Sequence, residues 1–205
     1  KSFTLSKELT KDIIKYCEET KISPFAVFLA ALYIYIYRIS SKNDIVIGTP
    51  VINRSNVREK ETFGMFVDVI PVRMKLEPDM SFGLFAQYVS KELMGYLKNQ
   101  KYPLDLILRD FRERHRVSEN LFDISLSYQN MKLEKTELTG NYSMKWHFNE
   151  SQTDALQIHV SDRESEGQYE LDLDYLVDVF DSHEIEKIFI HYINLLKDGI
   201  NYHHK

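Results

Sequence analysis

The hydrophobic pattern of the first half of the chain predicts helices alternating with apolar strands. Ser6 and Ser23 each precede a run with helical spacing, and Ser23 is followed by Pro24, a combination typical of a helix start. The two predicted strands, over 44–52 and 66–74, do not alternate apolar with polar residues, which suits strands covered on both faces. The predicted elements are helices from Ser6 and over 24–38, strands over 44–52 and 66–74, a loop over 53–62, a helix from Ser81 to about Asn99, and a short helix after Pro103.

Beyond residue 121 the pattern changes to strict alternation. Four segments, at 122–128, 142–148, 156–160 and 169–175, place an apolar residue at every second position, as half-buried strands do. A last helix is predicted from Asp181, with Glu184 at capping-box spacing and Gly199 as its stop. This order predicts an α/β fold, with residues 1–205 as a single domain. We expect a two-layer sandwich of one mixed β-sheet with helices mainly on one face.

Composition narrows the function class. The 205 residues carry 26 Lys and Arg against 31 Asp and Glu, and a net charge of −5 argues against nucleic-acid binding. One cysteine excludes a disulfide framework and favours a reducing, cytoplasmic location. The longest apolar run covers residues 25–37, shorter than the roughly twenty that a membrane span needs. Because the chain starts at Lys1 rather than Met, we interpret it as a segment of a longer protein.

Candidate chemistry is sparse. None of the seven histidines, which include His147, His159, His183 and His191, has the spacing of a zinc motif, so no metal site is predicted. The alternating acidic residues at positions 170, 172 and 174 are interpreted as the solvent-exposed face of a strand. The sequence contains no phosphate-binding glycine loop and no G-x-S-x-G motif, and Cys17 is expected to be a small core residue.

Asp68 is the exception, because it lies on the same strand face as Ile70 and Val72. A buried carboxylate has to be paired or hydrogen-bonded, and Arg54 and Arg73 are the nearest cations in sequence. Two interpretations stay open: a structural ion pair or loop hydrogen bond, or a polar group that lines a channel.

Five segments carry motif-like strings in a fixed order. They are residues 5–54, FGMFVDVIPVR (63–73), NQKYPLDLIL (99–108), RHRVSENLFDISLSYQN (114–130) and 171–200. The second is similar to G-x-F-V-N-T…R, the third to a Gln shortly before Pro-Phe-Glu, and the fourth to R-x-x-S-x-x-P-L-F. Together they resemble the second lobe of the condensation domains of nonribosomal peptide synthetases. The family usually has Asn where Asp68 stands, and a carboxylate cannot donate a hydrogen bond unless protonated.

The resemblance implies two lobes like chloramphenicol acetyltransferase subunits, with a tunnel between them. Donor and acceptor peptidyl carrier proteins bring phosphopantetheine arms into that tunnel, where an amine attacks a thioester to form an amide. No cofactor is expected to bind directly. The family's catalytic H-H-x-x-x-D-G lies in the first lobe and is absent here, since His203 and His204 are followed only by Lys205. We therefore expect the C-terminal lobe alone, without a catalytic residue and inactive by itself. Its expected partners are the N-terminal lobe, both carriers and an adjacent adenylation domain.

By the same resemblance, the candidates for the tunnel wall or lobe interface are Arg54, Asp68, Arg73, Ser127 and Gln129. Ser127 and Gln129 could equally face bulk water, and the polar stretch at 147–155 could be a crossing segment or a surface loop. An open, partly apolar inner face is expected. Two other functions stay open: a non-catalytic module that binds carrier proteins, and a fragment of a CoA-dependent acyltransferase.

Overall fold

The computed structural model describes residues 1–116, 120–130, 151–162 and 167–202. In these ranges the chain forms one six-stranded sheet, ordered β1-β6-β5-β4-β2-β3. The strands are β1 (Ser2–Thr4), β2 (Asp44–Val51), β3 (Asp68–Lys75), β4 (Ile124–Gln129), β5 (Leu156–Ser161) and β6 (Glu170–Tyr175). The helices are α1 (Lys7–Thr20), α2 (Pro24–Ser40), α3 (Val57–Glu61), α4 (Phe82–Lys98), α5 (Leu104–His115) and α6 (Ser182–Asn201).

The sheet is mixed, as predicted. β2 pairs in parallel with β4 and β4 in parallel with β5, whereas the other three pairings are antiparallel. The strand β1 was not predicted, because its three residues are too few for a period-two signal. The strand predicted at 142–148 lies outside the described residues.

Four predicted helix starts are confirmed by their caps. The side chains of Ser6, Ser23 and Ser81 each accept a backbone amide from the first turn, and Asp181 forms a full capping box with Glu184. The short helix α3 lies within the segment predicted as loop.

Gly199 was wrongly expected to end the last helix, which continues through it to Asn201. A Cβ atom at this position would come within 2.5 Å of the Phe82 ring. The residue is therefore a point of close contact between α6 and α4, because only glycine leaves room for the ring.

One hydrophobic core lies between the helices and one face of the sheet. Alternate residues of the strands, such as Ile47, Val72, Leu126, Ile158 and Leu171, are buried together with α1, α2, α4 and α6. The helix α2 is buried along most of its length, as its uniform apolar pattern predicts. The observed layers are therefore a sheet and the helices α1, α2, α4 and α6 on one of its faces.

The strand β3 lies at the edge of the sheet and leaves one of its faces open. Arg73 is exposed on the face away from the helices, so the prediction that both faces of this strand are covered was wrong. The strand starts at Asp68 rather than at residue 66. The Tyr96 hydroxyl accepts from the Arg73 amide at 3.2 Å and donates to its carbonyl at 2.9 Å. Pro71 has no amide hydrogen to offer, and the Val69 amide donates to the Asp68 side chain.

In the described part of the chain, no single helix is long and apolar enough to cross a membrane. The helices α1 and α2 reach that length and composition only as a pair, and they are bent by 107° relative to each other.

Candidate functional site

Four of the five predicted wall residues lie at one end of the sheet. Arg54 follows β2, Asp68 begins β3, and Ser127 and Gln129 lie in the last part of β4, which runs parallel to β2. Arg73 lies five residues further along β3, roughly 17 Å away at strand spacing. The structure therefore separates Arg73 from the other four candidates.

Arg54 organises the segment that links β2 to β3. Its guanidinium donates to the carbonyl oxygens of Glu59 and Thr62, and to that of Gly64 at 2.8 Å. The carbon of the guanidinium also lies 4.2 Å from the centroid of the Phe66 ring, a cation–π contact. The hydrogen bonds of Arg54 thus go to backbone carbonyl groups of its own loop, which gives Arg54 a structural role.

Lys101 attaches the same loop to the connection between α4 and α5. Its ammonium donates to the Asn53 carbonyl at 2.7 Å and to the Glu59 carboxylate at 2.8 Å. The Ser55 amide donates to the same carboxylate oxygen of Glu59 at 2.7 Å. The Lys101 hydrogen bond, followed by the Ser55 amide, lowers the pKa of Glu59 to about 2.

Asp68 is half-buried at the start of β3, on the face that carries Ile70 and Val72. Its carboxylate accepts from the Val69 amide at 2.8 Å, and within the described ranges no ion pair involves it. Among the described residues Asp68 therefore does not form the ion pair with Arg54 or Arg73, which was half of the structural interpretation; the hydrogen bond it does form is to the amide of the next residue. The bond that does form needs only an acceptor, which an asparagine side chain also supplies.

Arg73 pairs with Asp44 instead, across the two neighbouring strands. Its guanidinium makes two contacts with the carboxylate, at 2.7 Å and 2.6 Å, and this hydrogen bonding lowers the pKa of Asp44. Both side chains are substantially exposed, so we assign the pair a modest contribution to stability.

Ser127 does not face bulk water, because it is only 7% exposed. Its hydroxyl lies 2.7 Å from Nδ1 of His159 on β5, and Nε2 of His159 lies 3.5 Å from the Asp174 carboxylate on β6. Asp172, the direct neighbour of His159 on β6, accepts from the Ser2 hydroxyl. We call Ser127, His159, Asp172 and Asp174 the polar strip.

The polar strip crosses three strands on the sheet face away from the helices. An imidazole that directs Nε2–H towards the Asp174 carboxylate presents Nδ1 as an acceptor, so the Ser127 hydroxyl donates to it. The contact with Asp174 becomes an ion pair when the imidazole is protonated. The arrangement fixes the orientation of both the hydroxyl and the ring.

The pairing of Ser127 with His159 was not predicted from the sequence. Gln129, two residues beyond Ser127, is half-buried, and its carbonyl accepts from the Asp162 amide at 3.4 Å. The sequence did contain one signal for this pairing. Ser127, His159 and Asp172 each directly follow an apolar core residue, so their side chains point to the opposite face of the sheet. That signal becomes a contact only once the strand register is known.

A cavity on the helix side of the sheet lies away from these residues. It has a volume of about 390 Å³ and is lined by residues such as Ile34, Arg38, Phe85 and Asp198, with no histidine among its lining residues in the described chain. Cys17 packs half-buried against the core, and burial raises the pKa of its thiol to about 11. Within the ranges described, no three His, Cys, Asp or Glu side chains are placed to hold a metal ion.

Comparison with known proteins identifies the family. The family model for the condensation domain matches residues 1–204. The chain belongs to the condensation domain family. It is 36% identical over 194 residues to surfactin synthase subunit 1 and 31% identical over 200 residues to a subunit of plipastatin synthase, both from Bacillus subtilis (strain 168). These matches cover 95% and 98% of the chain, and confirm the resemblance to nonribosomal peptide synthetases.

The fold of this condensation domain chain is also confirmed. It superimposes on the condensation domain of the monacolin K polyketide synthase MokA with a TM-score of 0.81 at 19% identity, and on the four-domain nonribosomal peptide synthetase AB3403 with a TM-score of 0.82 at 18% identity. The chain is thus a chloramphenicol acetyltransferase-like sandwich. It spans 5% and 8% of the two synthetase subunits and 47% of the solved MokA chain.

Proposed function

We propose that the chain is the C-terminal lobe of a condensation domain that forms an amide bond between two carrier-tethered substrates. One observation carries the proposal: the family model matches residues 1–204, yet the chain spans only 47% of a solved condensation domain. The family's H-H-x-x-x-D-G motif is absent from the sequence. In this proposal the other lobe supplies the histidine, and this lobe supplies the opposite wall of the tunnel.

The reaction joins a donor acyl or peptidyl thioester to the amine of an acceptor aminoacyl thioester. The amine nitrogen attacks the thioester carbon, the C–S bond breaks, and the donor arm leaves as a thiol. The amine loses a proton on the way, which a histidine of the other lobe accepts. Holding both phosphopantetheine arms in one tunnel converts an encounter between two molecules into a step within one complex.

This lobe's contribution is positional. The proposed wall is the end of the sheet at which Asp68 lies on the helix side, and Ser127 and Gln129 lie on the opposite face. The hydrogen bonds of Arg54 and Lys101 order the adjoining loop. Wall residues that keep a fixed geometry contribute to orienting tethered substrates. Donor and acceptor carrier proteins and an adjacent adenylation domain are the proposed partners, in the cytoplasm.

The test compares the 205-residue chain with the full-length protein that contains it. Each is incubated with a donor aminoacyl thioester on one carrier protein and an acceptor aminoacyl thioester on a second, and the products are identified by mass spectrometry. We expect the full-length protein to form the dipeptidyl thioester and the isolated chain to form none. Amide formation by the isolated chain would overturn the proposal.

Two further results would assign a different function. A full-length protein that binds both carriers but forms no amide would be a non-catalytic interaction module. A full-length protein that accepts acyl-CoA in place of the donor carrier would be a CoA-dependent acyltransferase. The same preparation and the same mass-spectrometric readout distinguish all three.

A further inference from the structure

Three side chains of the polar strip are arranged as a nucleophile, a base and a group that orients the base. The Ser127 hydroxyl lies 2.7 Å from Nδ1 of His159, and Nε2 of the same ring lies 3.5 Å from the Asp174 carboxylate. A serine becomes a nucleophile when a base within hydrogen-bond reach can take its proton and a third group fixes that base. The three residues meet both conditions from three adjacent strands.

The arrangement is rigid and largely shielded from water. Ser127 is 7% exposed, and the side chains of His159 and Asp174 are 14% and 12% exposed. Charges interact more strongly in such surroundings than in bulk water, so the Asp174 carboxylate stabilises the imidazolium that forms when His159 takes a proton. Side chains on the strands of one sheet also keep their separations better than side chains on loops do.

Gln129 provides a hydrogen-bond donor near the same hydroxyl. It lies two residues beyond Ser127 on the same face of β4, about 7 Å along the strand. In the described part of the chain its side-chain amide makes no hydrogen bond. Attack of a nucleophile on a carbonyl group places negative charge on the carbonyl oxygen, and a side-chain amide can donate to that oxygen. Gln129 is therefore the candidate donor to such an oxyanion.

Ser125 shows what distinguishes Ser127 from an ordinary serine. Both serines are 7% exposed, and both lie on the face of β4 away from the helices. On the neighbouring strand β5, however, Ser125 faces Gln157, whereas Ser127 faces His159. A glutamine amide cannot take the proton of a hydroxyl at neutral pH, whereas a neutral imidazole can. The strand thus carries two equally buried serines, of which one has a base.

We infer that Ser127 is the nucleophile of a second activity, the hydrolysis of an acyl thioester. The Ser127 oxygen attacks the carbonyl carbon of the thioester while its proton passes to Nδ1 of His159. The C–S bond breaks, and the imidazolium gives its proton to the departing sulfur, which leaves the acyl group as an ester on Ser127. Water then attacks the ester with His159 again as the base, which releases a carboxylic acid and restores the hydroxyl.

The class of substrate rests on the proposed function, in which thioester arms pass the sheet face that carries Ser127. The reactivity of the hydroxyl does not rest on it, because the distances to His159 and Asp174 are properties of this chain. Hydrolysis at this wall removes acyl groups for which no acceptor amine is present.

The first test is covalent labelling of the full-length protein with a fluorophosphonate, which reacts with activated serine hydroxyls. Fragmentation of the labelled peptide in the mass spectrometer separates the rates at Ser127 and Ser125 in one sample. General-base catalysis contributes on the order of a hundredfold or more, so we expect Ser127 to react at least about a hundredfold faster than Ser125. Equal rates at the two serines, or no label at Ser127, would overturn the inference.

A variant of the base sharpens this comparison. His159→Gln keeps a hydrogen-bond acceptor for the Ser127 hydroxyl but removes the base. The labelling rate at Ser127 should therefore fall to that at Ser125. A rate at Ser127 that His159→Gln leaves unchanged would show that the imidazole does not activate the hydroxyl, and would also overturn the inference.

The second test measures the release of free acid from an acyl-N-acetylcysteamine thioester by the full-length protein, without an acceptor amine. Ser127→Ala should lower the rate about tenfold or more, whereas Ser125→Ala, the matched control, should leave it unchanged. Asp174→Asn removes the charge of the positioning residue and should lower kcat without changing KM. Acid release that is insensitive to Ser127→Ala would assign hydrolysis to another group and overturn the inference.

Amide formation is measured separately on the unsubstituted protein. Labelling of Ser127 and acid release without amide formation would overturn the proposed function and support the second activity. Amide formation by a protein whose Ser127 is no more reactive than Ser125 would overturn the second activity alone.

Discussion

Two regions of this chain depart in opposite ways from the usual pattern of apolar side chains inside and polar side chains outside. The loop between β2 and β3 presents Phe63 and Met65 to solvent, while polar bonds of Arg54 hold its backbone. The polar strip buries Ser127 and Asp172 on the sheet, with His159 joining neighbouring strands. Hydrogen bonds of polar groups therefore order both regions. The regions differ in exposure, because the loop leaves apolar side chains in solvent whereas the strip buries polar ones.

The difference separates folding from association. A buried polar group costs little free energy only while its hydrogen-bond partners are present, so the polar strip should matter for the stability of the chain itself. Exposed apolar groups gain nothing on folding, since they contact water in both the folded and unfolded states. Substitutions in the two regions should therefore differ in the free energy of unfolding of the isolated chain.

Among substitutions of residues in the two regions, the largest effect is expected for His159→Leu. The substitution removes the partner of the buried Ser127 hydroxyl and leaves the Asp174 carboxylate without the imidazole, which costs about 2 kcal/mol in the free energy of unfolding. Urea denaturation of the isolated chain measures it. His191→Leu, at an exposed position of α6, is the matched control and should change stability by less than about 0.5 kcal/mol. Equal urea midpoints for the two variants would contradict the role assigned to the strip.

For Arg54→Ala we expect a smaller loss, about 1 kcal/mol in the free energy of unfolding. The loop carbonyl groups that Arg54 binds can form hydrogen bonds with water instead. The loop should also become more sensitive to protease, and cleavage near residues 58–65 under native conditions measures that change. Arg54→Lys keeps the charge but lacks the forked geometry, so it should fall between wild type and Arg54→Ala. Protease resistance unchanged in both variants would show that other contacts order the loop.

The contribution of Glu59 should depend on pH. Its pKa lies at about 2 in the folded chain, below its ordinary value of 4.5, so the stabilisation is complete above the ordinary value and is lost as pH falls towards about 2. The difference in urea midpoint between wild type and Glu59→Gln should therefore be constant near neutral pH and shrink in acid. Lys101→Met removes the main cause of the shift and should abolish most of that pH dependence. A difference that is independent of pH would count against the ion pair.

The smallest effect on the isolated chain is expected for Phe63→Ser. The side chain is fully exposed, so the free energy of unfolding should change by less than about 0.5 kcal/mol. Phe85→Ser, at a buried position of α4, is the contrasting variant and should cost about 3 kcal/mol or more. A large loss for Phe63→Ser would place the ring in the core of this chain and would remove the contrast between the two regions.

Local signals predicted most of the fold. The caps at Ser6, Ser23, Ser81 and Asp181 mark helix starts because a side-chain oxygen satisfies free amides within its own turn. The position of a strand in the sheet is not encoded locally, which is why β3 was mistaken for a strand covered on both faces. Gly199 was misread for the same reason, since the Phe82 ring that requires it comes from another helix.

The site was less predictable than the fold. Motif strings led to Arg54, Asp68 and Ser127, but the partner of each depends on contacts that the strings do not contain. Arg54 binds carbonyl groups of its own loop, and Ser127 binds a histidine 32 residues away. The strand register that brings Ser127 and His159 together is a property of the assembled sheet, so composition and spacing could not supply it.

The two edge strands of the sheet leave few backbone groups free, and this limits strand exchange between neighbouring domains. At one edge of the sheet the strand β1 has only three residues. At the other edge, β3 contains Pro71, which has no amide hydrogen, and the amides of Val69 and Arg73 already donate to the Asp68 carboxylate and the Tyr96 hydroxyl. Such margins give an incoming extended segment few groups to bind. Where sheets with such edges follow one another in one polypeptide, few backbone groups are open to strand exchange between neighbours.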